Sequence, residues 1–154
     1  MYKRQFLDGN EPFLVHNADI LSDINLAELY RHHRESNAEA TLLVSQRQTS
    51  RYLLLDDVNR LHGWINKSTG ETKPEGFSFQ ERQYKEMAFG GIHVISPSLF
   101  RYMESRQWEG KFSIIPFYLS VCETACIQGY PLQDRRWFDI GKPETLAKAE
   151  EYYR

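Results

Sequence analysis

Apolar and polar positions along this chain alternate between strand-like and helix-like spacing, and each change marks an element. Pro12-Phe13-Leu14-Val15-His16-Asn17-Ala18-Asp19-Ile20-Leu21 starts as an apolar run and turns polar at Asn17 and Asp19. That is the pattern of a buried strand over residues 12–17 that delivers a carboxylate to the sheet edge. Asp23 can cap a helix from about Leu26 to Ser36, in which Leu26, Leu29, Tyr30 and His33 share one face at i, i+3, i+4 and i+7. Ala40 to Val44 is a second strand. Tyr52 to Leu55 and Leu61 to Ile65 predict a hairpin across Asp56-Asp57-Val58-Asn59.

Asn66 to Phe79 is polar, with Gly70, Pro74 and Gly76, and reads as a loop over a site or a surface excursion. Met87 to Ile95 is a strand interrupted by Gly90-Gly91. Ser96-Pro97 supplies an N-cap and a proline at the first helical position of a helix to about Arg106. Ser113 can cap another helix, from Ile114 to about Ala125. Ile127–Tyr130 and Arg136–Ile140 are short strands, and Pro143 starts a C-terminal helix ending near Tyr153. Helices and strands alternate, so the class is α/β, and the hairpin requires a mixed sheet.

Composition narrows the function classes. The 154 residues are long enough for one domain with its own core. A net charge of −2 with mixed signs gives no basic footprint for nucleic acid. No apolar run reaches the roughly 18 residues of a membrane span, and no signal peptide is visible. Cys122 and Cys126 are the only cysteines, which is no disulfide framework and points to the cytoplasm.

The N-terminus reads as cut. Gln5 to Asn10 looks like the end of a helix with a glycine stop, yet no helix precedes it. Met1-Tyr2-Lys3-Arg4-Gln5 can be encoded by ATG-TAT-AAG-AGA-CAG, which resembles a transposon-end sequencing adapter. The hypothesis is that residues 1–5 are a non-native scar, with the native domain beginning at residue 6. Source sequence continuing this frame upstream without adapter would contradict it.

Two acids end apolar strands, Asp19 and Asp139, the latter within Trp137-Phe138-Asp139-Ile140-Gly141. A magnesium ion takes hard oxygen ligands, with one or two carboxylates and the rest from water and phosphates. Two strand-end aspartates from distant parts of one sheet fit that need, although either can equally cap a turn. Asn17-Ala18-Asp19 also has the spacing of an acidic metal motif used by sugar-nucleotide enzymes. Gly90-Gly91 within a strand marks either close backbone approach by a ligand or a bulge. Trp64 and Asn66, just before the long loop, can meet a sugar, or be a core tryptophan and a turn asparagine. His32 and His33 point apart on a helix and share no metal. His16 and His93 lie within strands, as core or cleft residues. Cys122 and Cys126 read as small buried hydrophobes, and no nucleophile elbow is present.

Three segments together resemble the sugar-1-phosphate nucleotidyltransferases in order and spacing. They are Pro12 to Leu21, Met87-Ala88-Phe89-Gly90-Gly91-Ile92-His93-Val94-Ile95, and Trp137-Phe138-Asp139-Ile140-Gly141-Lys142-Pro143-Glu144. The family includes mannose-1-phosphate guanylyltransferases, glucose-1-phosphate thymidylyltransferases and N-acetylmuramate-1-phosphate uridylyltransferases. The resemblance implies the C-terminal portion of a Rossmann-like nucleotidyltransferase fold, with a mixed, mostly parallel sheet flanked by helices. It implies transfer of a nucleotidyl group from an NTP to a sugar 1-phosphate, giving NDP-sugar and pyrophosphate, with Mg²⁺. Asp19 and Asp139 match the family's metal-binding aspartates, and Gly91 matches a glycine that approaches the sugar. Asn17, Trp64, Asn66 and Gly90 are the other candidate substrate contacts.

Two departures stand out. The family's glycine-rich loop, Gly-x-Gly-Thr-Arg followed by Pro and Lys, has no counterpart, so the 154 residues are expected to be inactive alone. Its Glu-Lys-Pro element has no clean match: Trp64-Ile65-Asn66-Lys67 stands at about the right place, Glu71-Thr72-Lys73-Pro74 resembles it in composition, and the choice between Lys67 and Lys73 stays open. Two other functions stay open: a metal-dependent glycosyltransferase using Asn17-Ala18-Asp19, and a non-catalytic sugar-phosphate-binding module.

Overall fold

In chain order the elements are β1 (Phe13–His16), β2 (Ile20–Ser22), helix α1 (Leu26–Glu35), β3 (Ala40–Ser45), β4 (Arg51–Leu55), β5 (Leu61–Asn66), β6 (Thr72–Lys73) and β7 (Lys85–Ile95). A 3₁₀ helix (Pro97–Glu104), α2 (Ile114–Val121), β8 (Ile127–Pro131), β9 (Trp137–Asp139) and α3 (Pro143–Tyr152) complete the order. The computed structural model describes residues 7, 9–77, 83–104, 108, 110–132, 136–141 and 143–153. The adapter-like residues 1–5 and the end of the helix predicted at Arg106 lie outside them.

Seven strands form one sheet in the order β6-β5-β4-β7-β3-β8, with β1 also paired to β7. Alternate residues of β3 serve opposite faces, as the two-residue period of a strand requires. Ala40, Leu42 and Val44 enter the larger core with Leu99, Phe117 and Tyr118 from the 3₁₀ helix and α2. Leu43 enters a second core with Leu29 of α1 and Ile20 of β2. Helical elements therefore cover both faces, and each fully buried leucine contributes about 2 kcal/mol.

The mixed sheet and flanking helices agree with the expectation, but the sheet is not mostly parallel. Among the described residues β3–β8 is the one parallel pairing in it. The long strand β7 runs antiparallel to β1, β3 and β4, and β4–β5–β6 is an antiparallel meander. Central β7 thus sets the sheet's character, and β8, which follows β7 through the 3₁₀ helix and α2, is the exception in lying parallel to β3.

Several local readings shift for identifiable reasons. The N-cap of α1 is Asn25, whose Oδ1 accepts from Glu28 N at 3.1 Å. Asp23 is unavailable for capping because its Oδ1 accepts from Arg136 N at 2.7 Å. Ser96 does not cap the following segment: its Oγ meets Ala38 O at 3.3 Å and His33 Nε2 at 2.9 Å. Ser113 stands at the N-cap of α2 but makes no side-chain cap bond, and α2 ends at Val121 rather than near Ala125. The hairpin turn is as predicted, with Asp56 Oδ1 accepting from Val58 N (3.1 Å) and Arg60 N (2.8 Å).

Asp139 does not end a strand of the main sheet. Strand β9 pairs antiparallel with β2 in a separate two-stranded ribbon, with Ile20 opposite Asp139 and Ser22 opposite Trp137. The ribbon packs on the second core through Ile20, Ile24 and Trp137. It is this ribbon, rather than the main sheet, that carries the second candidate carboxylate.

Candidate active site

Strand β1 leads into a tight turn at Asn17-Ala18-Asp19, closed by Ile20 N donating to Asn17 O at 3.1 Å. The turn is tied to β7, because Asn17 N donates to Gly91 O at 2.9 Å. Gly91 has φ +73, and a Cβ there would sit 2.8 Å from Ile20 Cγ1 and 3.1 Å from Asn17 Nδ2. Only glycine meets both the left-handed backbone and the close approach. The register of β3 on β7 also shifts here, so Gly90-Gly91 forms a bulge packed against protein.

The turn and the end of β9 meet. Ile140 N donates to Asp19 O at 2.8 Å, and Gly141 N donates to Asp139 Oδ1 at 3.2 Å. A Cβ placed on Gly141 would lie 3.2 Å from Asp139 Oδ1 and 3.5 Å from Asp19 Oδ2. Both carboxylates therefore flank one point beside a residue without a side chain. Asp139 is further held through its carbonyl, which accepts from Thr145 Oγ1 at the start of α3. Among the described residues no group of three or more acidic, histidine or cysteine side chains could hold a metal ion. The exposed Asp19 and half-buried Asp139 carboxylates at one point nevertheless suit a hard divalent ion that takes its remaining ligands from water and phosphate.

A cleft of about 470 Å³ is lined among others by Arg47, Trp64, Asn66, Lys73 and Phe89, and neither Asp19 nor Asp139 lines it. Trp64 and Asn66 project from the same side of β5, where alternate residues share a face. Asn66 also serves its turn, since its Oδ1 accepts from Ser68 N at 3.0 Å. Lys73 Nζ pairs with Glu71 at 3.1 Å and lies 5.3 Å from the Trp64 ring centre, facing the cleft. Lys67 Nζ is drawn to Glu86 at 2.6 Å.

Arg47, just past the end of β3, joins the cleft to the carboxylates. Its guanidinium lies 4.4 Å from the Trp137 ring centre, and Nη2 donates to Phe89 O at 3.1 Å. Trp137 is fixed in turn by its indole N–H, which donates to Gly90 O at 2.8 Å. Burial pushes the Arg47 pKa down from its usual value, while the Asp139 carboxylate and Tyr52 oppose that shift.

Asn17, Asp19, Gly91 and Asp139 thus come together at one place. Trp64 and Asn66 line the cleft, and Gly90 connects the two through Trp137. His16 and His93 support the site's residues from outside the cleft. His16 Nδ1 meets Asn17 O at 2.8 Å, and His93 is buried with Nδ1 2.5 Å from Tyr118 Oη. His33 is buried between Thr41 and Ser96, and Cys122 is also buried. Arg47 and the fastening role of Trp137 escape the sequence reading. The one signal for Arg47 is its place beyond the carboxyl end of a buried strand, where ligands of α/β sheets gather.

The nucleotidyl transferase family matches residues 1–154. The chain is 24% identical over 149 residues to "Probable mannose-1-phosphate guanylyltransferase 3" of Arabidopsis thaliana, covering 95% of this chain and 40% of that protein. It is 25% identical over 143 residues to the mannose-1-phosphate guanylyltransferase catalytic subunit beta of Danio rerio, covering 90% of this chain and 35% of that protein. The fold is similar to that of a UDP-glucose pyrophosphorylase from Acinetobacter baumannii, with TM-score 0.70 and 15% identity over 97% of this chain and 53% of that one. The chain thus spans well under half the length of these curated relatives. No helix among the described residues is long and apolar enough to cross a membrane.

Proposed function

This chain belongs to the nucleotidyl transferase family, and from that premise we propose that the whole protein transfers a nucleotidyl group from an NTP to a sugar 1-phosphate. The products are an NDP-sugar and pyrophosphate. The observation that carries this reading is the meeting of Asp19 and Asp139 beside Gly141, linked through Arg47 to a cleft with an aromatic ring, an amide and cations.

In this reading Asp19 and Asp139 hold a divalent cation, Mg²⁺. When bound, it offsets the repulsion between two anionic reactants and lowers the charge developing on the phosphates. The sugar rests in the cleft, with Trp64 offering an apolar face and Asn66 an amide edge. Gly91 lets the backbone of β7 pass close by, while Asn17 fixes the turn that carries Asp19. Of the two lysines, Lys73 is the phosphate contact, because it lines the cleft while Lys67 is drawn toward Glu86. No covalent nucleophile is required: a sugar-phosphate oxygen forms the new bond to the α-phosphorus as the bond to pyrophosphate breaks. The place of action is the cytoplasm, which suits the unbridged Cys122 and Cys126.

The test is pyrophosphate release by the whole protein with pairs of NTP and sugar 1-phosphate. GTP with mannose 1-phosphate comes first, because the matched relatives are mannose-1-phosphate guanylyltransferases. Release with one pair and Mg²⁺ is expected. Release with no pair overturns the reading.

A further inference from the structure

Arg47 lines the cleft and feels the Asp139 carboxylate, and the contacts that hold it are a ring and a neutral carbonyl. Its guanidinium face rests on Trp137, and a hydrogen bond from Nη2 to Phe89 O at 3.1 Å fixes one edge. A guanidinium has five N–H donors in a planar fork and accepts nothing. Among the described residues no carboxylate forms an ion pair with it, and the Asp139 carboxylate acts on it only at longer range. A partly buried cation without a counter-ion costs free energy unless an anion completes it.

The support under Arg47 is itself fastened. Trp137 sits between Arg47 and the bulge of β7, with its indole N–H on Gly90 O. Phe89, the residue before that bulge, supplies the carbonyl that Arg47 binds and also lines the cleft. The guanidinium is thus aimed by the same bulge that seats the Asn17–Asp19 turn, so its donors and the two carboxylates keep a fixed relation. Lys73 approaches from β6 on another wall of the same cleft.

We propose that Arg47 binds the substrate phosphate at the junction of the cleft and the Asp19–Asp139 pair, with Trp137 as its positioning residue. The proposal rests on the reading of the site given above. The phosphate would offer the fork two of its terminal oxygens and leave the third for a cation that Asp19 and Asp139 would hold, so Arg47 sets orientation as well as affinity. Arg47 distinguishes a phosphorylated sugar from a neutral one, whereas Trp64 and Asn66 serve both.

The test is a titration of the chain with glucose 1-phosphate, glucose and inorganic phosphate, each with and without Mn²⁺, followed by the indole N–H signals of Trp64 and Trp137. Arg47→Gln is expected to weaken glucose 1-phosphate and inorganic phosphate by about tenfold or more and leave glucose unchanged. Arg47→Lys, which keeps charge but loses the fork and the stacking, should recover only part of that loss. Arg34→Gln, which removes a surface charge elsewhere, should match the wild type. Trp137→Phe should weaken phosphate binding in a chain whose Trp64 signal still responds to glucose. Equal phosphate affinity in wild type and Arg47→Gln overturns the proposal. Binding of inorganic phosphate at Arg47 without binding of any sugar 1-phosphate overturns the sugar-phosphate reading instead and leaves the anion site standing. No anion binding by the wild-type chain overturns the Arg47 proposal.

Discussion

Asp19 and Asp139 come from opposite ends of the chain, yet their carboxylates flank the same glycine. The relationship is made by backbone: Asp19 O accepts from Ile140 N, and Ile20 pairs with Asp139 across the β2–β9 ribbon. Neither carboxylate depends on a long side-chain path for its position, so substitutions there should change chemistry more than folding.

Mn²⁺ binding to the chain, followed by electron paramagnetic resonance, checks this. Asp19→Asn and Asp139→Asn should each weaken Mn²⁺ by about tenfold or more. Both variants should keep the thermal stability of the wild type to within about 1 kcal/mol, because the replaced groups are not buried. Unchanged Mn²⁺ affinity in either variant removes that residue from the ligand set.

Gly91 should resist substitution. Gly91→Ala forces a side chain into φ +73 and against Ile20 Cγ1 at 2.8 Å. The expected cost is about 2 kcal/mol in chemical denaturation, with Mn²⁺ binding weakened because the Asn17–Asp19 turn must move. Gly70→Ala, also at positive φ but with nothing within 4 Å, should cost less and leave Mn²⁺ binding intact. Equal effects of the two would show that the close approach at Gly91 is immaterial.

The lysine assignment separates by binding. Lys73→Gln should weaken a sugar 1-phosphate by about tenfold, whereas Lys67→Gln should change it by less than about twofold. Loss of the partly exposed Lys67–Glu86 pair should cost only about 0–1 kcal/mol of stability. The reverse ranking would move the phosphate contact to Lys67.

Two buried histidines should make stability depend on pH. Burial, and for His33 also the charge of His32, lowers the pKa of His33 and of His93 from 6.5 to about 4. His33 meets Thr41 Oγ1 and Ser96 Oγ with its two ring nitrogens, and His93 lies against Tyr118 and the Phe89 ring. The unfolded chain therefore binds more protons than the folded one between about pH 4 and 6.5. Stability from each ring is full above about pH 6.5 and is lost as pH falls through that window, by about 2 kcal/mol per ring at pH 5. Urea midpoints that stay level between pH 7 and pH 5 would contradict this.

The runs Phe13-Leu14-Val15 and Ala40 to Val44 announce their strands because burial on both faces leaves near-continuous apolar sequence. Asp19 and Asp139 are legible because each follows a short apolar stretch, Phe13-Leu14-Val15 and Trp137-Phe138. The ribbon that unites them is not, since three residues carry no readable period and the partner strands lie far apart in sequence. Asn25 and Asp23 are both good caps; Arg136 N, a distant donor, decides between them by occupying Asp23. Arg47 lies in a polar stretch, Gln46 to Ser50, that reads as solvent-facing until Trp137 is brought beneath it. What the pattern misses is long-range pairing, where tertiary contacts set the outcome.

The central claim is that Asp19 and Asp139 together make this chain's part of a nucleotidyl-transfer site. Pyrophosphate release by the whole protein, measured in the wild type and in Asp19→Asn and Asp139→Asn, tests it most directly. The account predicts Mg²⁺-dependent release in the wild type and a loss of about a hundredfold or more in each variant. Full release by either variant, or none by the wild type with any NTP and sugar 1-phosphate, would contradict it.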